Sequence, residues 1–454
     1  MAPILSSRSM QLPGMFAPLA GGAGTAFITY DANTTYYRRY NALAADATNV
    51  YLGGVVGDYS GAWSGWTTSN KGIVTKINHV AKTVSFHNQY SGNPNSYTSG
   101  VFDLIMDSSS NWYFAIATEP SWSNTTQDSR PWLGKFNSSD VQQWGYEYRA
   151  NSRGQSGLNS LFLSGSTIYA PGNSNAGARG VFHKINTSNG SSTLAAQLDQ
   201  GAGTYSNGKS GRVYSDGRWL WQTWIDSGPP ALNVFNSNNT INTSRSYGGT
   251  IYPGCMNLDS TENLILGGHN NAGAARIAKV NTSFATSWAR GFTASGTTNC
   301  EQVLIDTTTN DIYAVIPEVY DSTNEYYYSY LVKYNSSGSI QWQRRFTSSF
   351  NGLKINDIKM VGDNFHICGH LGGKNNGSKA FYIKMPWATA PTAQTIEFTN
   401  GDTITIANGS GTDSSQTVTL SGTSFTWASD SAGTTSYTPS TSSKSLTTVN
   451  KAVI

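Results

Sequence analysis

Three observations predict an all-β chain, a seven-bladed β-propeller closed by its own N-terminal strand: two hairpin signatures alternate along 454 residues, the composition is polar without being charged, and the last repeat stops one strand short. Charged residues make up 12% against a usual ~25%, while 47 glycines and 12% aromatics accompany abundant Ser, Thr and Asn. Such residues form helices poorly and turns well. Many short strands joined by tight turns are therefore expected, and long helices are not.

The first signature is a short apolar segment, a basic residue, an apolar or aromatic residue, then Asn. It reads Val74-Thr75-Lys76-Ile77-Asn78, Leu133-Gly134-Lys135-Phe136-Asn137, Phe182-His183-Lys184-Ile185-Asn186, Ile277-Ala278-Lys279-Val280-Asn281 and Leu331-Val332-Lys333-Tyr334-Asn335. Degenerate copies stand at Leu232 to Asn236, without the Lys, and at Tyr382 to Pro386, without the Asn. A Ser/Thr/Gly turn and an aromatic strand follow, as in Ser336 to Phe346, which is a hairpin pattern.

The second signature lies upstream of the first in each unit: an Asp or Ser opening a turn between two apolar runs. Its copies begin at Asp46, Asp107, Ser164, Ser215, Asp259, Asp306 and, more loosely, at Val361-Gly362-Asp363. An Asp or Ser side chain can accept from N–H groups two residues on, and Gly or Asn tolerates the left-handed backbone that closes such turns. Two hairpins make a four-stranded unit that cannot cover both of its faces alone, so the units must stack until a ring closes.

The last unit stops at Trp387 without the strand that should follow Lys384, and Phe27 to Tyr40 parallels Val332 to Phe346, including the Arg-Arg-aromatic ending. This stretch is expected to supply the outer strand of the seventh blade. It divides the chain into an arm at residues 1–25, the propeller at 26–387 and a Ser/Thr-rich C-terminal part at 388–454. The arm holds Ile4, Leu5, Met10, Leu12, Met15, Phe16 and Leu19 among its Pro and Gly, which suits docking on a neighbouring subunit. Beyond Ala388, alternating pairs (Ile396 and Phe398, Ile404 and Ile406, Val418 and Leu420, Phe425 and Trp427) separated by Asn-Gly turns predict a small β-module packed on the propeller or on an adjacent copy.

The repeats resemble a bacterial and phage β-propeller repeat family whose units carry a turn Asp, an aromatic strand, a Lys-Tyr-Asn-Ser-Ser-Gly turn and a Trp strand; Lys333 to Trp342 is the best copy. That motif specifies a blade and not a reaction. Chains of this kind are similar to virion structural proteins of marine bacteriophages, and the resemblance implies a non-enzymatic tail or head appendage subunit. Its expected partners are other virion proteins and copies of itself, with a host-surface glycan as a further ligand, and its expected location is the virion, after assembly in the host cytoplasm.

A net charge of +3 gives no field to steer nucleic acid or an anionic membrane. Three cysteines, Cys255, Cys300 and Cys368, cannot make an even disulfide framework, a usage that fits assembly in the cytoplasm. Pro3, Pro13 and Pro18 with Gly14, Gly21, Gly22 and Gly24 interrupt the apolar run a secretory signal would need, and no stretch approaches the ~20 apolar residues of a membrane span.

No nucleophile elbow, phosphate loop or metal-binding helix motif is present. His366, Cys368 and His370 share one strand face, but side chains about 7 Å apart suit an inter-blade packing face better than one zinc ion; no metal or cofactor is expected. Glycosidase chemistry needs only two acids meeting in space, and Asp103, Asp357 and Glu301, which precede inner strands, are the candidates for that alternative. Loops joining second to third strands share one face of a propeller and carry clustered rings: Trp63 and Trp66, Trp122, and Tyr326, Tyr327, Tyr328 and Tyr330. Such rings stack on sugars and give rigid contact area, which makes Trp63, Trp66, Trp122, Tyr326 and Tyr327 the candidate binding residues and a lectin-like or glycan-cleaving propeller the alternative function.

Overall fold

A computed structural model describes residues 16–18, 25–28, 36–58, 71–90, 99–118, 131–148, 156–174, 179–198, 206–225, 228–247, 251–270, 272–321, 326–373, 378–387, 390–398, 402–416, 418, 421–422 and 448–450. The described residues form strands and turns with no helix, grouped in seven antiparallel sheets in a β-propeller-like arrangement. In chain order the first strands of these sheets are Tyr36–Ala45, Ser99–Met106, Ser156–Leu158 with Phe162–Ser164, Ser206–Val213, Tyr252–Leu258, Thr297–Thr298 with Gln302–Asp306, and Leu353–Val361. Each sheet touches the next through or beside these strands, and Leu353–Val361 packs on Tyr36–Ala45. The cores lie between sheets. Tyr51, Val74, Leu104, Trp112, Phe114 and Trp132, for example, form one buried cluster from the first and second.

Both hairpin signatures have local causes. The Asp of the second accepts from the backbone ahead of it: Asp107 Oδ1 from Ser109 N and Asn111 N, and Asp259 Oδ1 from Thr261 N and Asn263 N, all at 2.9 Å. The Asn of the first does the same, as Asn137 does for Ser139 and Val141 and Asn335 for Ser337 and Ser339. These side chains stand in for turn carbonyls, which is why the residue type recurs at a fixed offset.

The repeated Lys has a different reason. Its stem crosses an aromatic of the second strand, with Nζ 5.0 Å from the Tyr51 ring centroid for Lys76, 5.5 Å from Tyr113 for Lys135, 5.1 Å from Tyr169 for Lys184 and 5.3 Å from Tyr313 for Lys333. The ammonium then finds an oxygen. Lys76 reaches Asp140 of the next sheet at 2.7 Å and Lys135 the Thr187 carbonyl at 3.2 Å, whereas Lys279 and Lys333 pair within their own sheets with Asp259 and Asp311 at 2.8 Å.

Five first strands carry a β-bulge at one level, between Tyr40 and Ala42, Val101 and Asp103, Gly208 and Ser210, Pro253 and Cys255, and Ile355 and Asp357. In the third and sixth sheets the first strand is instead broken into two pieces on a common partner. Bulges re-aim side chains and leave backbone groups unpaired. The bulge also dictates glycine opposite it: a Cβ on Gly54 would strike the Arg39 carbonyl and one on Gly369 the Lys354 carbonyl. Gly369→Ala should therefore cost about 2–3 kcal/mol, read as a lower denaturant midpoint at unchanged slope; an unchanged midpoint would refute this tight approach.

The ends of the chain differ from expectation. Thr25–Ile28 lies antiparallel to Phe381–Lys384 of the seventh sheet, with Phe16–Pro18 beyond it. The expected single outer strand from Phe27 to Tyr40 is thus corrected: Tyr36–Ala45 is the first strand of the first sheet, paired with Asn49–Asp58. Its Arg38-Arg39-Tyr40 matches Arg344-Arg345-Phe346 in sequence, but Tyr40 is buried in the core around Leu43 and Leu52.

The C-terminal part, expected as one small β-module packed on the propeller or on an adjacent copy, spreads its strands over the edges of four sheets. Gln394–Glu397 and Thr403–Asn408 form one hairpin, and its second strand adds to Ile340–Ser348 of the sixth sheet. Thr412–Ser415 adds to Thr286–Thr293 of the fifth, Ser421–Gly422 to Ile241–Ser246 of the fourth, and Thr448–Asn450 to Thr83–Tyr90 of the first. Ile396, Phe398, Ile404 and Ile406 enter the core between the sixth and seventh sheets, and Val418 that of the fourth and fifth. An open sheet edge is a row of unpaired backbone groups, and pairing it is worth more to so short a segment than a core of its own.

Candidate functional site

The bulges turn a belt of polar side chains toward the neighbouring first strands. Asp357 follows the bulge of the seventh sheet and is 2% exposed. Its Oδ2 accepts from Leu43 N of the first sheet at 2.8 Å, and its Oδ1 accepts from Ile358 N at 2.8 Å, Gln302 Nε2 of the sixth sheet at 2.6 Å and Lys359 Nζ at 3.0 Å. Asp103 repeats the arrangement. Its Oδ1 accepts from Leu104 N at 2.7 Å and its Oδ2 from Leu161 N of the third sheet at 2.6 Å. Asn41 Nδ2 donates to Val101 O at 2.9 Å, Asn356 Nδ2 to Tyr40 O at 2.6 Å, Arg212 Nε to Asn257 Oδ1 at 3.0 Å and Asn257 Nδ2 to Val303 O at 3.3 Å. The belt links first to second sheet, second to third, fourth to fifth, fifth to sixth, sixth to seventh and seventh to first.

Its charges influence one another. Burial lifts the Asp103 carboxyl to about 6, with Lys359 opposing the rise and Asp357 adding to it. Burial alone would lower the Lys359 ammonium, but Asp357 and Asp103 beside it raise it on balance. Burial lowers the Arg212 guanidinium. Chemically, both carboxylates already accept from backbone N–H groups of a neighbouring sheet, while the Lys359 side chain keeps 35% of its surface exposed and is the freer donor.

Nearer the start of the first strands, Lys354 Nζ pairs with Glu301 Oε1 at 2.9 Å and lies 5.1 Å from the Tyr327 ring centroid. Tyr327 meets His370 edge-on at 6.4 Å. Tyr328 is held between Tyr320, stacked at 4.1 Å, and the Arg345 guanidinium at 3.9 Å; Arg345 NH2 in turn stands 3.6 Å from Glu318 Oε2. The Glu318 carboxylate is buried and accepts from Ser295 Oγ at 2.5 Å and Gly296 N at 2.8 Å.

Of the residues singled out from sequence, Asp103 and Asp357 come together in the belt, and Glu301 stands apart in its ion pair with Lys354. Trp63, Trp66 and Trp122 lie outside the described residues. Tyr326 pairs with Asp321 at the start of its strand, and Tyr327 sits on the Lys354 and His370 side chains. His366, Cys368 and His370 are all buried: His366 Nδ1 meets Tyr382 OH at 2.8 Å, Cys368 enters the core between the seventh and first sheets, and His370 Nδ1 faces Asn356 Nδ2 at 3.2 Å. Burial pushes His366 down to about 3 and His370 well below the usual range. Lys359, Arg212, Gln302 and Lys354 escaped the sequence reading. The signal that could have found Arg212, Gln302 and Lys359 is a polar residue recurring two to four places before the second signature's turn, where a strand core should be apolar; Lys354 lies further upstream and carries no such signal.

No family model and no curated protein matches the chain. Among solved structures it is similar to a protein of unknown function from Dyadobacter fermentans, at 7% identity over 80% of this chain and 98% of that one, with a TM-score of 0.47. It is similar also to an oligogalacturonate lyase in complex with manganese, at 9% identity over 84% and 99% with a TM-score of 0.46, and to a protein of unknown function from Bacteroides caccae, at 11% identity over 64% and 93% with a TM-score of 0.40.

Proposed function

We propose that this chain is a non-enzymatic structural protein of a bacteriophage virion, a tail or head appendage subunit. In this reading the seven sheets are seven blades of a ring closed by Thr25–Ile28, a rigid platform for assembly and recognition. The observation that carries it is what the belt's acids do: Asp103 and Asp357, the best-placed candidates for acid–base work, each accept from a backbone N–H of the next sheet. A general acid or base must reach a substrate proton, and these two fasten blades. The strands added to the outer edges of four sheets by the C-terminal part agree with a body built for rigidity. Its partners are then other virion proteins and further copies of this chain, assembled in the host cytoplasm. Immunogold cryo-imaging of purified particles tests this reading: regular decoration at one position is expected, and a chain absent from particles would remove it.

A second reading, glycan binding by the aromatic rim, is favoured by Tyr320, which is 37% exposed and stacked on Tyr328, itself covered by the Arg345 guanidinium. Aromatic faces with adjacent polar groups suit sugar rings. On a glycan array, Tyr320→Ala with Tyr327→Ala should lower binding at least tenfold if the rim is the site. Unchanged binding would clear these two rings.

A further inference from the structure

The three cysteines look isolated in sequence, but the fold brings two of them together. Cys255 follows the bulge of the fifth sheet's first strand and stands opposite Gly267 of the neighbouring strand. Cys300 lies between the two pieces of the sixth sheet's first strand, and its backbone is tied to the same neighbour, donating from N to Gly268 O at 2.9 Å. A Cβ built on Gly267 would lie 2.6 Å from Cys255 Sγ and 2.6 Å from Cys300 Sγ, so the two sulfurs flank the one point that glycine leaves empty. Cys255 Sγ also donates to the Cys300 carbonyl at 3.6 Å. Both thiols are free, Cys300 fully buried and Cys255 9% exposed. Cys368 belongs to a different core, between the seventh and first sheets.

We propose that Cys255 and Cys300 are a modification site, a dithiol that a small-molecule disulfide oxidises to a covalent staple between the fifth and sixth sheets. The Cys255 thiolate, the more accessible of the two, attacks one sulfur of the incoming disulfide. A mixed disulfide forms, and the first small thiol leaves with the proton given up by Cys255. The Cys300 thiolate then attacks Cys255 Sγ, the protein S–S bond forms, and the second small thiol leaves with the proton of Cys300. Two protein thiols are oxidised and one external disulfide is reduced to two thiols. In a reducing compartment the pair stays open; in an oxidising one it closes. Closure constrains the unfolded chain across some 45 residues, so the oxidised protein is the more heat-stable form.

The test uses the full-length folded protein incubated with oxidised glutathione under native conditions, then quenched, denatured and alkylated. One alkylated thiol, Cys368, is expected where the reduced control shows three, with an intact mass lower by about 2 Da before alkylation, a linked 255–300 peptide and a melting temperature a few degrees higher. Cys300→Ser should stop at a glutathione adduct on Cys255, and Cys368→Ser should still form the link. Three alkylated thiols in the treated wild type, a persistent mixed disulfide without the link, or a link that involves Cys368 would each overturn the proposal.

Discussion

Between pH 6.5 and pH 4 the protein is expected to lose most of its stability and unfold cooperatively. His183 is 1% exposed, and burial holds its folded pKa down to about 4; His366, also 1% exposed, is held down to about 3 by burial, with His79 and Lys384 adding to the effect. His79 and His370 are buried and shifted in the same direction. A histidine whose folded pKa is depressed is neutral in the native state and binds a proton on unfolding, so the unfolded state takes up more protons throughout this window and stability rises with pH. Its contribution is full above the unfolded value near 6.5 and is lost as pH falls toward the folded value. At about 1.4 kcal/mol per unit, His183 alone removes about 3 kcal/mol by pH 4, against a total stability of about 5–15 kcal/mol. Asp103, raised by burial to about 6, acts in the opposite sense over the same range, but it is one group against several. Melting temperature measured from pH 7.5 to pH 4.5 checks this, with a shallower slope expected for His183→Gln. A flat profile would contradict the burial assigned to these rings.

The second large effect is expected at Asp357. Replacing it with Ala leaves Leu43 N and Ile358 N without their acceptor, and takes from the half-buried Lys359 ammonium and Gln302 amide their carboxylate partner. Breaking a buried charged network by removing one member costs about 3–5 kcal/mol. Asp216→Ala, at an exposed turn where the carboxylate pairs with Arg218 on the surface, should cost no more than about 1 kcal/mol. Adding Lys359→Met to Asp357→Ala should restore part of the loss, because it removes the uncompensated charge. Equal effects at Asp357 and Asp216 would show that the belt does not fasten the sheets.

What could be read from the chain was what its local chemistry dictates. The Asp and Asn turns were legible because each side chain bonds N–H groups two to four residues ahead, so their cause lies inside the motif. The Lys repeat was visible, but its meaning was not, since Lys76 ends on Asp140 of another sheet while Lys333 ends on Asp311 of its own. Long-range pairings were misjudged for the same reason. Ile404 and Ile406 alternate as any half-buried strand does, and nothing local says that their partner edge is Ile340–Ser348. Arg38-Arg39-Tyr40 resembled an outer strand because likeness to Arg344-Arg345-Phe346 records composition and not position. Asp103 and Asp357 were noticed as acids before inner strands, yet their role depends on a bulge that turns them toward a neighbour's amide, and Cys255 and Cys300 meet only through such neighbours.

Amide hydrogen exchange at Leu43 tests the central claim, that a carboxylate of the last sheet holds the first. In the native protein this amide should be strongly protected, and Asp357→Ala should release it while the Leu161 amide, held by Asp103, stays protected. A Leu43 amide that exchanges freely in the wild type, or that is equally protected with and without Asp357, would contradict a belt that joins the seventh sheet to the first.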